Sequence, residues 1–379
     1  MNTFCTIVTP DYLPMALALY DSILAHGDAA LHILVSSFRE DEPEMPEGVS
    51  LSYVDDLLSY GNSGKIYEKY YDSDSDAFRW SMKPEFIMYL IEKKGIKKVV
   101  FTDPDTYYFS SYSFLFDMLD SHRVLLTPHW RSFSPEKSST HFHLNFTEGF
   151  FNGGFIAVSS EGLAAMSWLS DSCLYECRKD VDAGLFDDQK YLDALPVMFE
   201  GAGIVRHKGC NVAAWNIHEC PRTVHEGRIL IDGGFPLVFI HFSRSTVNHI
   251  FYGKDDALYG CLEKYLGNLD ARGFTGLSRL YADLEEILDN FGNTMKIASF
   301  GYGESGRAVV RFLQRHLPGR LVTVVDDNVK DADGLNFMTT EEFLAVQGAD
   351  VMVFGKHQAL NPALLNNLTI PYIRMEQVG

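Results

Sequence analysis

A chain of 379 residues with 46% hydrophobic and 13% aromatic side chains can bury one large or two ordinary domain cores, which excludes extended disorder. Its 51 acidic residues against 32 basic ones give a formal net charge of −19, so the basic surface needed for sequence-independent nucleic-acid binding is missing. The same balance disfavours simple docking on anionic lipid, while leaving room for peripheral membrane association through a local basic patch. No apolar run approaches the ~20 residues of a membrane span, and the opening MNTFCTIVTPDY lacks the basic start of a secretory leader. The six cysteines form no CxxC pair. Buried free thiols and a cytoplasmic location are therefore expected.

In chain order, residues 4–9 read as a strand and 13–25 as a helix with apolar positions at helical spacing. Short strands follow over 32–36 and 49–54. The spacing then predicts a helix over 82–94, with Pro84 in its first turn, feeding a strand over 97–101. Residues 129–148 are polar and aperiodic, the signature of a functional loop or mobile lid. A strand over 150–158, helices over 161–179 and from 188, and a strand over 237–242 complete this part. A helical connector over 277–291 precedes a restart at Met295: strand, glycine turn, helix, strand. Further strands are expected over 350–354 and 369–374. Such β/α alternation indicates a mainly parallel sheet flanked by helices. The expected domains are 1–266, a connector over 267–293, and a smaller α/β domain over 294–379.

The chemistry concentrates in Asp103-Pro104-Asp105 at the end of the 97–101 strand. Two carboxylates this close raise each other's pKa unless a cation lies between them, and Mg²⁺ or Mn²⁺ is the common solution. The same tripeptide also serves as an ordinary turn. Around it stand Thr9-Pro10-Asp11-Tyr12 after the first strand, Lys83-Pro84, Asn152-Gly153-Gly154, Asp187-Asp188-Gln189, Trp215-Asn216 and His241-Phe242.

In this order the motifs resemble those of GT-A nucleotide-sugar glycosyltransferases of the glycogenin-like and bacterial galactosyl/glucosyltransferase type. The resemblance covers roughly the first 265 residues and implies a GT-A fold for them; the C-terminal part, with Gly301-x-Gly303-x-x-Gly306 after its first strand, separately resembles the small Rossmann-like modules appended to sugar-modifying enzymes. It also implies a hexosyl transfer from a nucleotide-sugar donor, expected to be a UDP-sugar, to a saccharide or surface-glycan acceptor in polysaccharide biosynthesis. The metal would sit on Asp103 and Asp105, with His241 as the third ligand that the resemblance supplies. Thr9, Tyr12, Lys83, Gly153 and Gly154 would serve the donor. Asp188, Asp187 and Asn152 would face the transferred sugar or acceptor, with Trp215 and Asn216 on the acceptor side. For Asp188 a helix N-cap is the competing role, and for the glycine pair a β-bulge. One departure stands out: no Lys-Pro-Trp follows His241, so Arg244 is the candidate for the missing positive charge.

The C-terminal part carries Gly301-x-Gly303-x-x-Gly306 between a strand and a helix, with Asp326 ending the next strand. This is a dinucleotide fingerprint in its proper context. It supports an NAD(P)-dependent oxidoreductase as the alternative function and leaves a structural role in self-association open; a non-catalytic sugar-nucleotide-binding protein is a third reading of the whole chain.

Overall fold

The computed structural model describes residues 1–40, 43–274, 295–355 and 362–375. The connector helix expected over 277–291 lies outside them. The chain forms two compact units, Met1–Ser243 with Lys264–Gly276, and Arg244–Glu263 with Leu277–Gly379. The second unit thus takes in 244–263, which the sequence assigns to the first domain.

The first unit is built on a seven-stranded sheet. Strands β1 (Asn2–Val8), β2 (Ala29–Val35), β3 (Val49–Tyr53) and β4 (Lys98–Thr102) run parallel in the order β4-β1-β2-β3. A short strand β5 (Thr106–Tyr108) follows β4 outside this sheet. On the other side of β4, β7 (Phe151–Ser159) is antiparallel to both β4 and β6 (Val124–Pro128), and Ala202–Ile204 closes that edge parallel to β6. Side-chain alternation splits the core into two layers. Cys5, Ile7, Val99, Phe101, Ile156 and Val158 face helices Ser75–Lys94 and Leu163–Tyr175. Phe4, Val8, Val100, Phe155 and Ala157 face helix Leu13–Leu24 and the aromatic group Tyr108, Tyr112 and Phe116. A strand buried on both faces needs this near-continuous apolar sequence, which is why the pattern was readable.

Two expectations are corrected. Helix Ser75–Lys94 starts seven residues earlier than its apolar spacing suggests, because the Asp74 carboxylate caps it by accepting from Asp76 and Ala77 N–H. Pro84 and Lys83 therefore lie inside the helix rather than in its first turn. Segment 129–148 is not aperiodic throughout, since Ser138 caps a helix over Ser139–Thr147.

Helix Ser75–Lys94 carries a second buried charge-bearing group, Glu85, which is fully buried. It accepts from Asn62 N–H and Ser63 Oγ at 3.1 Å and from Ser170 Oγ. Three helices are thereby tied together: Ser63–Tyr70 at its start, Ser75–Lys94 and Leu163–Tyr175. Burial pushes the Glu85 carboxyl above its usual range, and the three donors work against that.

The second unit has an all-parallel sheet in the spatial order Phe337–Met338, Leu321–Val325, Ile297–Phe300, Val351–Gly355, Tyr372–Met375. Helix Glu304–His316 belongs to it, and His316 stacks on Phe251 with ring centroids 4.1 Å apart. Arg311 donates to the Gly253 carbonyl and pairs with Asp256 at 2.8 Å. Among the described residues no helix is long and apolar enough to cross a membrane.

Replacing Glu85 by alanine leaves two buried serine hydroxyls and the half-buried Asn62 N–H without their acceptor, a loss of about 3 kcal/mol. All four tryptophans (80, 130, 168 and 215) lie in the first unit. Tryptophan fluorescence in a denaturant titration should therefore show a clearly lower midpoint for Glu85→Ala. An unchanged midpoint would mean the tie contributes nothing.

Candidate active site

Three segments meet where β4 ends. After Thr102 the chain turns through Asp103-Pro104-Asp105, with Thr106 N–H donating to Asp103 O at 3.1 Å, and continues into β5. Strand β5 pairs antiparallel with Phe239–His241, so His241 stands opposite Thr106, and Phe242 N–H donates to Asp105 O at 2.7 Å. From the other side β7 runs antiparallel to β4, and Asp103 N–H donates to Gly154 O at 2.9 Å. Backbone pairing alone thus brings Asp103, Asp105 and His241 to one place.

Their side chains converge. His241 Nε2 lies 3.0 Å from Asp105 Oδ1 and 4.0 Å from Asp103 Oδ2, and one ligand atom from each residue falls within 4.8 Å of the others. Two carboxylates and an imidazole are a donor set suited to Mn²⁺ or Mg²⁺. Gly154 makes the space: a Cβ there would meet His241 Cε1 at 2.5 Å and both Asn152 Oδ1 and Asp103 Oδ2 at 2.8 Å. The register between β6 and β7 shifts between Leu126 and Pro128, so Asn152, Gly153 and Gly154 are out of step with β6. The glycine pair thus lies in a break of the β6–β7 ladder, at the place where the competing β-bulge role puts an irregularity.

Behind the triad sits Lys83, which is buried. Its Nζ donates to Gly153 O at 3.0 Å and lies 3.2 Å from Asp188 Oδ2 and 3.7 Å from Asp103 Oδ1. Burial disfavours its ammonium, but Asp103, Asp188 and Asp187 outweigh this and raise its pKa. Burial pushes the Asp188 carboxyl up to about 7; Lys83 opposes that, and Asp187 and Asp103 add to it. Asp187, in a left-handed conformation (φ 44°), accepts from Gln189 N–H at 2.8 Å and lies 3.6 Å from Lys179 Nζ. Asp188 occupies the N-cap position of the 3-10 turn Gln189–Ala194, yet its side chain caps nothing. Its burial beside Lys83 is accordingly not explained by capping. Burial also works against a charged imidazole at His241, but Asp105 and Asp103 hold its pKa above the ordinary value, and His241 in turn lowers that of Asp105.

The remaining expected residues are placed as follows. Thr9 follows β1, donating its hydroxyl to Asp11 at 2.5 Å, and the Tyr12 ring meets Phe274 edge-on. Trp215 packs edge-on against both His241 and His129, with its indole N–H unpartnered. Asn216 is buried, donating to Asn211 O at 2.8 Å. Arg244 is exposed, at the start of helix Arg244–Phe251 in the second unit, outside this cluster's own unit. In the second unit Gly301 has φ 74° and Gly303 caps helix Glu304–His316, in which Gly306 lies. Asp326 accepts from Tyr302 N–H at 2.7 Å and from Asn328 and Val329 N–H at 2.8 and 3.0 Å. Its carboxylate closes the glycine loop onto its own backbone.

Sequence reasoning missed His129 and Arg131. Both are buried, inside the stretch whose polarity reads as a loop. Arg131 donates to Leu144 O and Gly149 O and pairs with Glu148. A polar stretch flanked by an aromatic such as Trp130 gives no periodic signal of burial, so only the tertiary structure exposes it.

No family model matches this sequence. Two uncharacterised proteins of Bacillus subtilis (strain 168) are similar. YfnF is 26% identical over 252 residues, covering 64% of this chain and 81% of its own; YfnD is 25% identical over 259, covering 64% and 78%. Among solved structures, the galactosyltransferase LgtC in complex with donor and acceptor sugar analogs is similar at TM-score 0.46 and 12% identity, covering 71% of this chain and 95% of that one. The glycosyltransferase GlyE of Streptococcus pneumoniae TIGR4 is similar at 0.41 and 12%, covering 98% and 90%. Mouse xyloside xylosyltransferase 1 is similar at 0.39 and 15%, covering 63% and 97%.

Gly154→Ala places a methyl group among His241, Asn152 and Asp103, so Mn²⁺ affinity should fall at least about tenfold. Titration of free Mn²⁺ by electron paramagnetic resonance reads this directly. Wild-type affinity in the variant would show that the glycine does not clear the site.

Proposed function

We propose that this chain is a metal-dependent glycosyltransferase of the GT-A type, acting on a nucleotide-sugar donor and a saccharide acceptor. The observation that carries the reading is the convergence of Asp103, Asp105 and His241 on one point, with the buried Lys83 ammonium held beside it. When bound, a divalent ion would neutralise the charge that develops on a departing nucleoside diphosphate. Asp103, Asp105 and His241 would hold that ion.

The other residues follow from their surroundings. Lys83 is locked between Asp103, Asp188 and the Gly153 carbonyl, which keeps it charged and aimed at the start of β7. It counters the carboxylates in the resting site and supplies a fixed positive charge for an anionic donor. The bare backbone of Gly153 and Gly154 lets a sugar approach closely. Asp188, buried beside Lys83 with its carboxyl pKa raised by burial, is assigned to a sugar hydroxyl. Thr9 and Tyr12 follow β1, which pairs with β4, at the carboxyl ends of parallel strands where open α/β sheets bind ligands. They are assigned to the nucleoside. A UDP-sugar and Mn²⁺ are the proposed donor and metal.

Asp326 bonded to its own glycine loop supports a structural role for the second unit over a dinucleotide site, because the acidic residue that would hold a ribose hydroxyl is already engaged.

A panel of nucleotide sugars with Mn²⁺ should yield one donor from which wild-type protein releases nucleoside diphosphate. Asp103→Ala and Asp105→Ala should each lower that release about a thousandfold. Retention of full metal-dependent release by either folded variant would contradict the assignment.

A further inference from the structure

Next to the triad lies a group of buried polar side chains that the reaction above does not use directly. Asn152 is at its centre. We infer that His129 and Gln189 are positioning residues that act through Asn152 to hold the His241 ring with Nε2 toward the two carboxylates. This deepens the proposed function and rests on its metal site.

The hydrogen bonds fix the orientations of Asn152, His241 and Gln189 in turn. Gly154 N–H donates to Asn152 Oδ1 at 3.1 Å, and a backbone amide can only donate. That atom of Asn152 is therefore the carbonyl oxygen and the other is the NH₂ group. The same oxygen lies 3.2 Å from His241 Nδ1, so Nδ1 must bring the proton. His241 consequently turns Nε2 toward Asp105 and Asp103, as a histidine ligand held by an outer partner does.

The Asn152 NH₂ group needs acceptors, and the site offers two. His129 Nε2 is 3.4 Å away and Gln189 Oε1 3.5 Å away. Gln189 cannot flip: its Oε1 accepts from Gly153 N–H at 3.1 Å and its Nε2 donates to Glu148 O at 3.0 Å. His129 is only 2% exposed, packs against Trp215, and has its pKa held below the ordinary imidazole value by its burial and by Arg131. A neutral ring can leave Nε2 bare to accept. A reversed Asn152 would set its NH₂ against two donors, Gly154 N–H and His241 Nδ1–H, and its oxygen against two acceptors. His129 and Gln189 thus stabilise one amide orientation, and that orientation sets the ring.

The test uses the full chain with Mn²⁺ alone. Free Mn²⁺ is measured by electron paramagnetic resonance, and imidazole nitrogen on the bound ion by spin-echo modulation. His129→Leu and Asn152→Leu should bind about tenfold more weakly, with the nitrogen modulation reduced. His129→Gln, which restores an acceptor, should recover most of both. Tryptophan fluorescence unfolding identifies which variants are folded; if His129→Leu is not, Gln189→Leu provides the same readout. A folded variant with wild-type affinity and unchanged nitrogen modulation would overturn the inference. Wild-type protein that shows the nitrogen-coordinated Mn²⁺ and these variant effects, yet releases no nucleoside diphosphate from any nucleotide sugar, would overturn the transferase reading and support the positioning role. Wild-type protein that binds no Mn²⁺ would overturn both.

Discussion

One buried ammonium facing several buried carboxylates is the constraint around which this site is organised. Lys83 projects from the interior of helix Ser75–Lys94 into a space shared with Asp103, Asp187 and Asp188. In a medium poorer than water at screening charge, neither sign is tolerable there alone. The lysine pairs with Asp188 and with one side of Asp103, while Asp105 and the far side of Asp103 turn to His241. Under the proposed function, the negative charge left over draws a cation to the triad.

Much of this was legible in the sequence because it rests on local signals. The doubly buried strands read as apolar runs, and Asp103-Pro104-Asp105 is placed at a strand end by the run before it. Asn152-Gly153-Gly154 attracts notice because a strand interior seldom uses two glycines. The convergence of these segments depends on strand pairing across long separations, β4 with β7 and β5 with Phe239–His241, which no local pattern encodes. His129 is the clearest miss. Its burial arises from the register shift between β6 and β7 and from the packing of Trp215, both tertiary.

The helix start was misread for a related reason. Before Met82 the buried Ala77 and Phe78 are interleaved with Ser75, Asp76, Arg79 and Ser81, which blurs the apolar periodicity, whereas the Asp74 cap sets the true beginning. That difference has a consequence for function. Inside a helix packed on the sheet, Lys83 is rigidly held, which a lysine in a fraying first turn would not be. The glycine fingerprint of the second unit shows the opposite lesson. Its spacing and context are complete, while the Asp326 carboxylate accepts from the Tyr302 and Asn328 N–H groups, a contact that the spacing alone does not reveal.

The central claim is that one divalent ion is held jointly by Asp103, Asp105 and His241. Crystals grown with Mn²⁺ and a nucleoside diphosphate, with diffraction recorded near the manganese absorption edge, test it most directly. The account predicts a single strong anomalous peak within coordination distance of both carboxylates and of His241 Nε2. A peak located elsewhere, or the absence of one at this triad, would contradict it.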